Sequence, residues 1–338
     1  ENLQHDPTVT APLYTNCTTV FISMLSTPNS PSSSPDQSKL WLAAIKPPMY
    51  TVAIIPIWVG SAIAIGQESQ LKLGSLGVFL VSAIAIIAWI NLTNDVFDAD
   101  TGIDRNKAHS IVNLTGNKSL IFWLANGFLV LGLAGVLSLS WMQHDPTIVT
   151  IVAIACGLGY TYQGPPFRLG YQGLGELICF ITFGPMALAA AYYSQTGSWS
   201  PLLTSGTKLL GLSVAAIVIG LVTSLILFCS HFHQVADDIA AGKRSPIVRL
   251  GTQQGAALLP WVCGAIYLTP VAGTLAGALH PASLAILLSV PLAVQLCRHV
   301  GENHDRPALV SNSKFIAVRM HFIGGFFFGL GAIVPLWL

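Results

Sequence analysis

Nine predominantly apolar stretches, each about 17–25 residues long, leave this chain little choice of solvent. They run over 43–66, 74–98, 119–141, 147–163, 173–194, 209–233, 255–276, 282–299 and 316–337. A stretch of that length crosses hydrocarbon as a helix, because a helix satisfies its own backbone hydrogen bonds where no water can. Charged residues make up 9% of the chain, against roughly 25% in a soluble domain, so lipid must cover most of the surface. The expected fold is all-α, a polytopic membrane protein of nine transmembrane helices. A net charge of +1 gives no footing for a nucleic-acid partner. The six cysteines are scattered without zinc-ligand spacing and read as reduced core residues.

Residues 1–40 are rich in Ser, Thr, Pro and Asn, with the run Ser30-Pro-Ser-Ser-Ser-Pro35. Such a composition cannot bury a core. We expect a disordered cytosolic tail there and a membrane domain over 41–338. A transit peptide is the alternative, against which stand the absence of Arg and the presence of three acids in this stretch. Asn16-Cys-Thr18 fits a glycosylation acceptor, a pattern short enough to arise by chance.

With nine spans, the loops divide between two sides. Lys39, Lys46, Arg105, Lys107, Lys118, Arg168, Lys243, Arg244, Arg249, Arg298, Arg306, Lys314 and Arg319 fall on one side; Lys72 and Lys208 fall on the other. A split of 13 to 2 places the first side in the cytoplasm and the C-terminus outside.

Asp and Glu number 14 in 338 residues. Six of these lie in two stretches, Asn91-Leu-Thr-Asn94-Asp95-Val-Phe-Asp98-Ala-Asp100-Thr-Gly-Ile-Asp104 and His233-Gln234-Val-Ala-Asp237-Asp238. An acid beside hydrocarbon is costly and marks function. Asn91, Asp95 and Asp98 share one helix face at i, i+4 and i+7. Oxygen ligands so grouped suit Mg²⁺, which binds one or two carboxylates and completes its shell with substrate phosphate. In the second cluster Gln234 and Asp238 share a face and Asp237 points roughly 100° away, which favours Asp238 as the ligand. His231 and His233 read as packing residues, because no third zinc ligand is evident. Asp100 is left open, and Asp104 reads as a solvated loop acid.

Lys107, Lys118, Lys243, Arg244 and Arg249 follow the two clusters, where cations can meet the charge of a departing diphosphate. Lys107-Ala-His-Ser-Ile-Val-Asn-Leu-Thr-Gly116 and Lys243-Arg-Ser-Pro-Ile-Val-Arg-Leu-Gly251 share a Lys four residues before Ile-Val, then Leu and Gly. They hint at an internal duplication of the kind common in membrane folds. The loop Tyr160-Thr-Tyr162-Gln-Gly-Pro-Pro-Phe-Arg168-Leu-Gly-Tyr171 sets aromatics beside one Arg, an arrangement able to hold a planar acid; Tyr171 reads as part of an interfacial aromatic belt. Glu176 opens the fifth stretch without an assigned role. No P-loop, dinucleotide-binding, serine-hydrolase or zincin motif is present.

These motifs resemble the UbiA superfamily of intramembrane prenyltransferases, and within it the MenA branch, in particular its cyanobacterial phytyl-transferring members. The likeness is carried by Lys46-Pro-Pro-Met-Tyr50, Asn94-Asp-Val-Phe-Asp98, Gly102-Ile-Asp104, Asn106-Lys107, His109-Ser110, Val112-Asn-Leu-Thr-Gly-Asn117, Tyr162-Gln-Gly-Pro-Pro-Phe-Arg-Leu-Gly170, Gly242-Lys243 and Val248-Arg-Leu-Gly251, and covers 39–338. It implies a UbiA-type bundle capped at its cytoplasmic end by the loops after spans two and six. It implies Mg²⁺ held among Asn91, Asp95, Asp98, Asp237 and Asp238, with Lys107, Lys243 and Arg249 at the leaving diphosphate. Asn91, Asn94, Tyr162, Arg168 and Arg249 become substrate-binding residues.

The family's second motif has two Asp four apart; here Gln234 stands at the first and Asp238 at the second. The implied donor is phytyl (prenyl) diphosphate. The implied acceptor is 1,4-dihydroxy-2-naphthoate or 2-carboxy-1,4-naphthoquinone, and the product is demethylphylloquinone. The implied place is a cyanobacterial plasma or thylakoid membrane. Homogentisate or 4-hydroxybenzoate remain alternative acceptors. A transporter is the alternative of another class, disfavoured because the acids lie at helix ends and not at the midplane.

Overall fold

The structure is a computed structural model that describes residues 41, 44–103 and 110–334. Every regular element among these residues is helical. Eight helices among them are long and apolar enough to cross a membrane, and Thr147–Gln163 is a shorter apolar helix of 17 residues. In chain order the spans are Thr51–Glu68, entered through a 3₁₀ turn at Pro47–Tyr50, then Leu73–Thr101, Lys118–Gln143, Thr147–Gln163 and Gly175–Thr196. Gly206–His231, Thr252–Leu275, Pro281–Asn303 and Ser313–Ile333 complete the set. The protein is an integral, multi-pass membrane protein. The expectation for residues 1–40 lies outside the described residues.

Burial sorts the spans into inner and outer ones. In the most apolar window, 67% of the first span, 72% of the sixth and 61% of the ninth is buried inside the protein, against 22% of the third. The third span packs chiefly on the second, and the ninth on the first and eighth. The buried apolar side chains form two clusters. One joins the first span to the fifth through ninth, around Tyr192, Ile219, Leu225 and Phe328. The other joins the first span to the second through fifth, around Phe79, Leu139 and Ile148. Helices in lipid associate by close packing of small residues, not by hydrophobic drive. Accordingly, a Cβ at Gly184 of the fifth span would lie 2.5 Å from the Ala216 carbonyl oxygen and 2.9 Å from Gly220 Cα on the sixth.

Two departures from regular helix shape the polar end. The fifth span carries a π-helical turn at Thr182–Met186, where Pro185 removes a backbone donor. The sixth span stops at His231, two residues before the end read from the sequence. Gln234 then caps a separate short helix, Val235–Ala240, whose first turn holds Asp237 and Asp238. The second span instead runs past Asp98 to Thr101, where Gly102 at φ 75° accepts the left-handed turn that ends it. The two loops that follow the acidic clusters repeat one local form. Each holds a five-residue helix, Ile111–Thr115 and Pro246–Leu250, ended by a glycine at positive φ, Gly116 and Gly251.

The close contact of the fifth and sixth spans is directly testable. Gly184→Val forces a branched side chain against backbone and is expected to cost about 1–3 kcal/mol or more, read as a lower melting temperature in detergent. An unchanged melting temperature would contradict this packing.

Candidate active site

Burial dictates how the polar end is built. A carboxylate out of water needs a counter-charge or donors. Asp95 is 4% exposed, and it finds both. Lys46 Nζ lies 2.9 Å from its Oδ1, and the Ile111 backbone N–H donates to Oδ2 at 3.1 Å. Lys46 reaches it from a left-handed backbone conformation, φ 53° and ψ 52°, just before the proline turn that opens the first span. Asp98, one turn further on, accepts from Gln163 Nε2 at 3.1 Å and from the Tyr171 hydroxyl at 3.4 Å. Tyr171 also shares a 2.7 Å hydrogen bond with Thr101. Tyr171 is therefore tied to the acidic cluster and does not serve as a belt residue. Burial, with Asp98 nearby, pushes its phenol up to about 12, so it remains a donor at neutral pH.

The second cluster is deeper. Asp238 is fully buried. His231 Nδ1 is 3.2 Å from its Oδ2 and Lys243 Nζ is 3.3 Å from its Oδ1, while the other ring nitrogen of His231 stands 3.4 Å from Glu176. Burial alone raises the Asp238 carboxyl; His231 and Lys243, aided by Ser245, outweigh it and hold the group below the usual carboxylate range. Lys243 also lies 5.9 Å from the centre of the Tyr171 ring, and the Arg244 N–H donates to the Tyr171 carbonyl at 2.7 Å. Through Tyr171, the loop after the fourth span ties the two acidic clusters into one polar end.

Asn91 and Asn94 turn from this network toward a cavity of about 240 Å³. Its walls come from the first, second, fourth, fifth, sixth and ninth spans and are largely apolar, with Tyr162, Thr223, Ser230 and Lys314 among the few polar groups. The π-turn residues Thr182, Phe183 and Met186 face it as well. The remaining residues singled out from the sequence are placed as follows. Asp237 is exposed, whereas its neighbour Asp238 is not. Arg249 donates to the carbonyls of Arg244 and Gln172 and so staples the loop after the sixth span to the loop after the fourth. Arg168 sits at φ 44° with its Nε buried and without a hydrogen-bond partner, outside the cavity lining. Asp100 pairs with Lys118 on an open surface. Lys107 and Asp104 lie outside the described residues.

Among the described residues, no three carboxylate, imidazole or thiol side chains converge to form a complete metal cage. The donors present are still those of a hard cation. Both Asp238 oxygens are buried and make no well-aligned hydrogen bond, with His231 and Lys243 standing 3.2 and 3.3 Å away. Two walls offer oxygen atoms, and neither is complete without a further oxygen-rich ligand, which is how Mg²⁺ is usually bound. Lys46, His231 and Glu176 escaped the functional reading of the sequence. Lys46 is 49 residues from Asp95, a separation no helical period reports; the signals available were the Lys46-Pro-Pro-Met-Tyr50 motif, the place of His231 beside the second acidic cluster, and the unexplained acid at Glu176.

At the level of whole chains, a family model for the UbiA prenyltransferase family matches residues 53–319. A Synechocystis protein named 2-carboxy-1,4-naphthoquinone phytyltransferase is 56% identical over 306 residues, covering 90% of this chain and 97% of that one. The Arabidopsis thaliana chloroplastic protein of the same name is 40% identical over 301 residues, covering 88% and 78%. Among solved structures, a UbiA homolog from Archaeoglobus fulgidus bound to GPP and Mg²⁺ aligns at TM-score 0.57 and 14% identity, covering 86% of this chain and 99% of that one. An apo UbiA homolog from Aeropyrum pernix aligns at TM-score 0.64 and 13% identity, covering 84% and 97%. At these identities the two structures speak to the fold alone.

The two lysine pairs at this end differ in depth, and substitution should separate them. Removing one partner of a buried pair costs about 3–5 kcal/mol, so Lys243→Met is expected to lower the melting temperature markedly at neutral pH in the presence of chelator. Lys118→Met breaks a pair whose side chains are 45% and 44% exposed, and should change stability by about 1 kcal/mol or less. Equal effects would mean that Asp238 is not buried as described.

Proposed function

The chain belongs to the UbiA prenyltransferase family, and from that premise we propose that it transfers a phytyl group from phytyl diphosphate to 2-carboxy-1,4-naphthoquinone in its 1,4-dihydroxy form. CO₂ and diphosphate are lost, and the product is demethylphylloquinone in its reduced state. The observation that carries this reading is an apolar cavity bordered by Asn91 and Asn94, on the helix that carries the buried Asp95, together with Lys46 and Lys243 paired to the buried carboxylates of Asp95 and Asp238. The cavity suits an isoprenoid and a fused ring, and the roof suits a diphosphate. The names of the 56% and 40% identical relatives point to the same donor and acceptor classes.

Asp95, Asp98 and Asp238, with Asn91 alongside, would hold Mg²⁺, which neutralises diphosphate charge and so makes it a better leaving group. Lys46 and Lys243 stand at the carboxylates, where they can also meet the charge that develops on the departing oxygens. Gln163 and Tyr171 orient Asp98, and His231 braces Asp238 against Glu176. The apolar walls keep water from the allylic cation until the ring reaches it. The electron-rich ring attacks through the carbon bearing the carboxylate. Loss of CO₂ returns the bond electrons to the ring and restores aromaticity. Lys107 is proposed to join the leaving-group cations. The charge asymmetry of the loops supports a cytoplasm-facing site, in a cyanobacterial plasma or thylakoid membrane.

Membranes carrying the protein, given phytyl diphosphate and 1,4-dihydroxy-2-naphthoate, are expected to yield the decarboxylated phytyl naphthoquinol, detected by mass spectrometry as the quinone after oxidation by air. Chelator should abolish the product and Mg²⁺ restore it; turnover in excess EDTA would sink the metal assignment. Asp95→Asn should lose about 100-fold or more. In the second cluster, Asp238→Ala should be inactive, while exposed Asp237→Ala retains turnover with a Mg²⁺ requirement raised by about 10-fold or less. The reverse order would exchange the roles of the two aspartates.

A further inference from the structure

Spans that face lipid in this protein turn apolar side chains outward, as the third does with Leu124, Val130, Leu131 and Leu137. The eighth span reverses that order toward its end. In its helix Val290–Asn303 the buried residues are Ala293, Leu296 and Val300, while Gln295, Arg298 and Glu302 are exposed. Polar side chains in a membrane span ordinarily face the bundle interior and one another. Here they face out, and none of these three side chains has a hydrogen-bond or ion-pair partner among the described residues. We infer that this face is a self-association surface, covered by a second copy of this chain related by a two-fold axis along the membrane normal.

Shape and chemistry both select that occupant. Pro291, Val294, Gln295, Arg298, His299 and Glu302 line a groove of about 330 Å³. They follow at i, i+3, i+4, i+7, i+8 and i+11, a single stripe on one helix, and a neighbouring helix fills such a groove with its own ridge. Gly301 is exposed beside the stripe, and a Cβ there would meet nothing within 4 Å, which leaves room for a second backbone to come close. Copies in one membrane insert in the same direction, so the two-fold axis sets equal-numbered residues opposite each other. Gln295 lies about 12 Å inside the helix end at Asn303. It meets the partner's Gln295, and an amide both donates and accepts. Arg298 and Glu302 stand one turn apart, so Arg298 reaches the partner's Glu302 while Glu302 reaches the partner's Arg298. Within one copy this order sets the acid at the helix C-terminus, its unfavourable end, and a guanidinium from the second copy offsets that. His299 is already engaged with the Leu309 carbonyl at 3.2 Å. The stripe therefore offers one charge of each sign, which suits a second copy of itself better than an anionic lipid headgroup.

The test uses purified full-length protein in liposomes at a low protein-to-lipid ratio, with copy number read by single-molecule photobleaching. The wild type should be a dimer. Arg298→Glu and Glu302→Arg each set like charges across the axis, and each should weaken the dimer by roughly 10-fold or more. Arg298→Gln, a milder change, should weaken it in the same direction. An equimolar mixture of the Arg298→Glu and Glu302→Arg proteins should regain the dimer, because every acid then faces an arginine, and that recovery also shows both variants to be folded.

The groove is separate from the cavity beside Asn91 and Asn94, so this outcome does not depend on the reaction proposed above. A monomeric wild type overturns the inference. So does a dimer that neither charge reversal weakens, or a mixture of the two variants that stays monomeric. A monomer that carries a phospholipid through native mass spectrometry, and loses it in Arg298→Glu, would assign the stripe to lipid and likewise overturn the inference.

Discussion

Carboxylates buried at the edge of a hydrocarbon phase cannot stand alone, and that constraint organises the polar end of this protein. Asp95 and Asp238 are 4% and 0% exposed. Each draws a lysine from elsewhere in the chain. Lys46 comes from the entry to the first span on a left-handed backbone, and Lys243 closes back over the short helix that carries Asp238. An uncompensated charge at either place would cost several kcal/mol, so the paths of the connecting segments follow from where the acids lie. The repeated short helices at Ile111–Thr115 and Pro246–Leu250 fit the same logic, each returning the chain just after an acidic cluster. At the first of them, the Ile111 N–H is itself a ligand of Asp95.

The apolar part obeys a different rule. Inner and outer spans are sorted by how closely their backbones can approach, as at Gly184 and Gly220. Between the two buried clusters the walls do not close, and the π-turn at Thr182–Met186 presents side chains to the space left. The site is therefore a junction of two environments. Carboxylates and ammonium groups lie at one end, and a cavity suited to hydrocarbon lies below, with Asn91 and Asn94 at the border. A prenyl diphosphate has the same two-part character.

Much of this was legible in the sequence because it repeats at short range. The fourth span falls at 147–163 as the apolar pattern indicates, and Asn91, Asp95 and Asp98 lie on one continuous helix because their spacing is helical. Two short contacts tie the loop cations on the other side to their neighbours: Lys208 pairs with Glu68 at 2.7 Å, and Gln195 accepts from the Lys72 N–H at 2.9 Å. What the sequence did not disclose were meetings between distant residues. Tyr171 looked like an interfacial aromatic because nothing local ties it to Asp98, 73 residues away. His231 looked like packing because its partners, Glu176 and Asp238, come from a different span and a different helix. The end of the sixth span was read too long because hydrophobicity continues through Phe232 while the helix does not. Periodicity reports faces; it does not report which faces meet.

The central claim is that Asp95 and Asp98 on one span and Asp238 beyond another act on one metal-bound diphosphate. The most direct measurement is an experimental structure of the protein with Mn²⁺ and a non-reactive phytyl thiodiphosphate, using the anomalous signal of manganese to locate the ion. The account predicts manganese bound between these carboxylates, with the diphosphate bridging the two walls and the phytyl chain entering the cavity beside Asn91 and Asn94. Manganese bound away from Asp95, Asp98 and Asp238, or a phytyl chain lying outside that cavity, would contradict it.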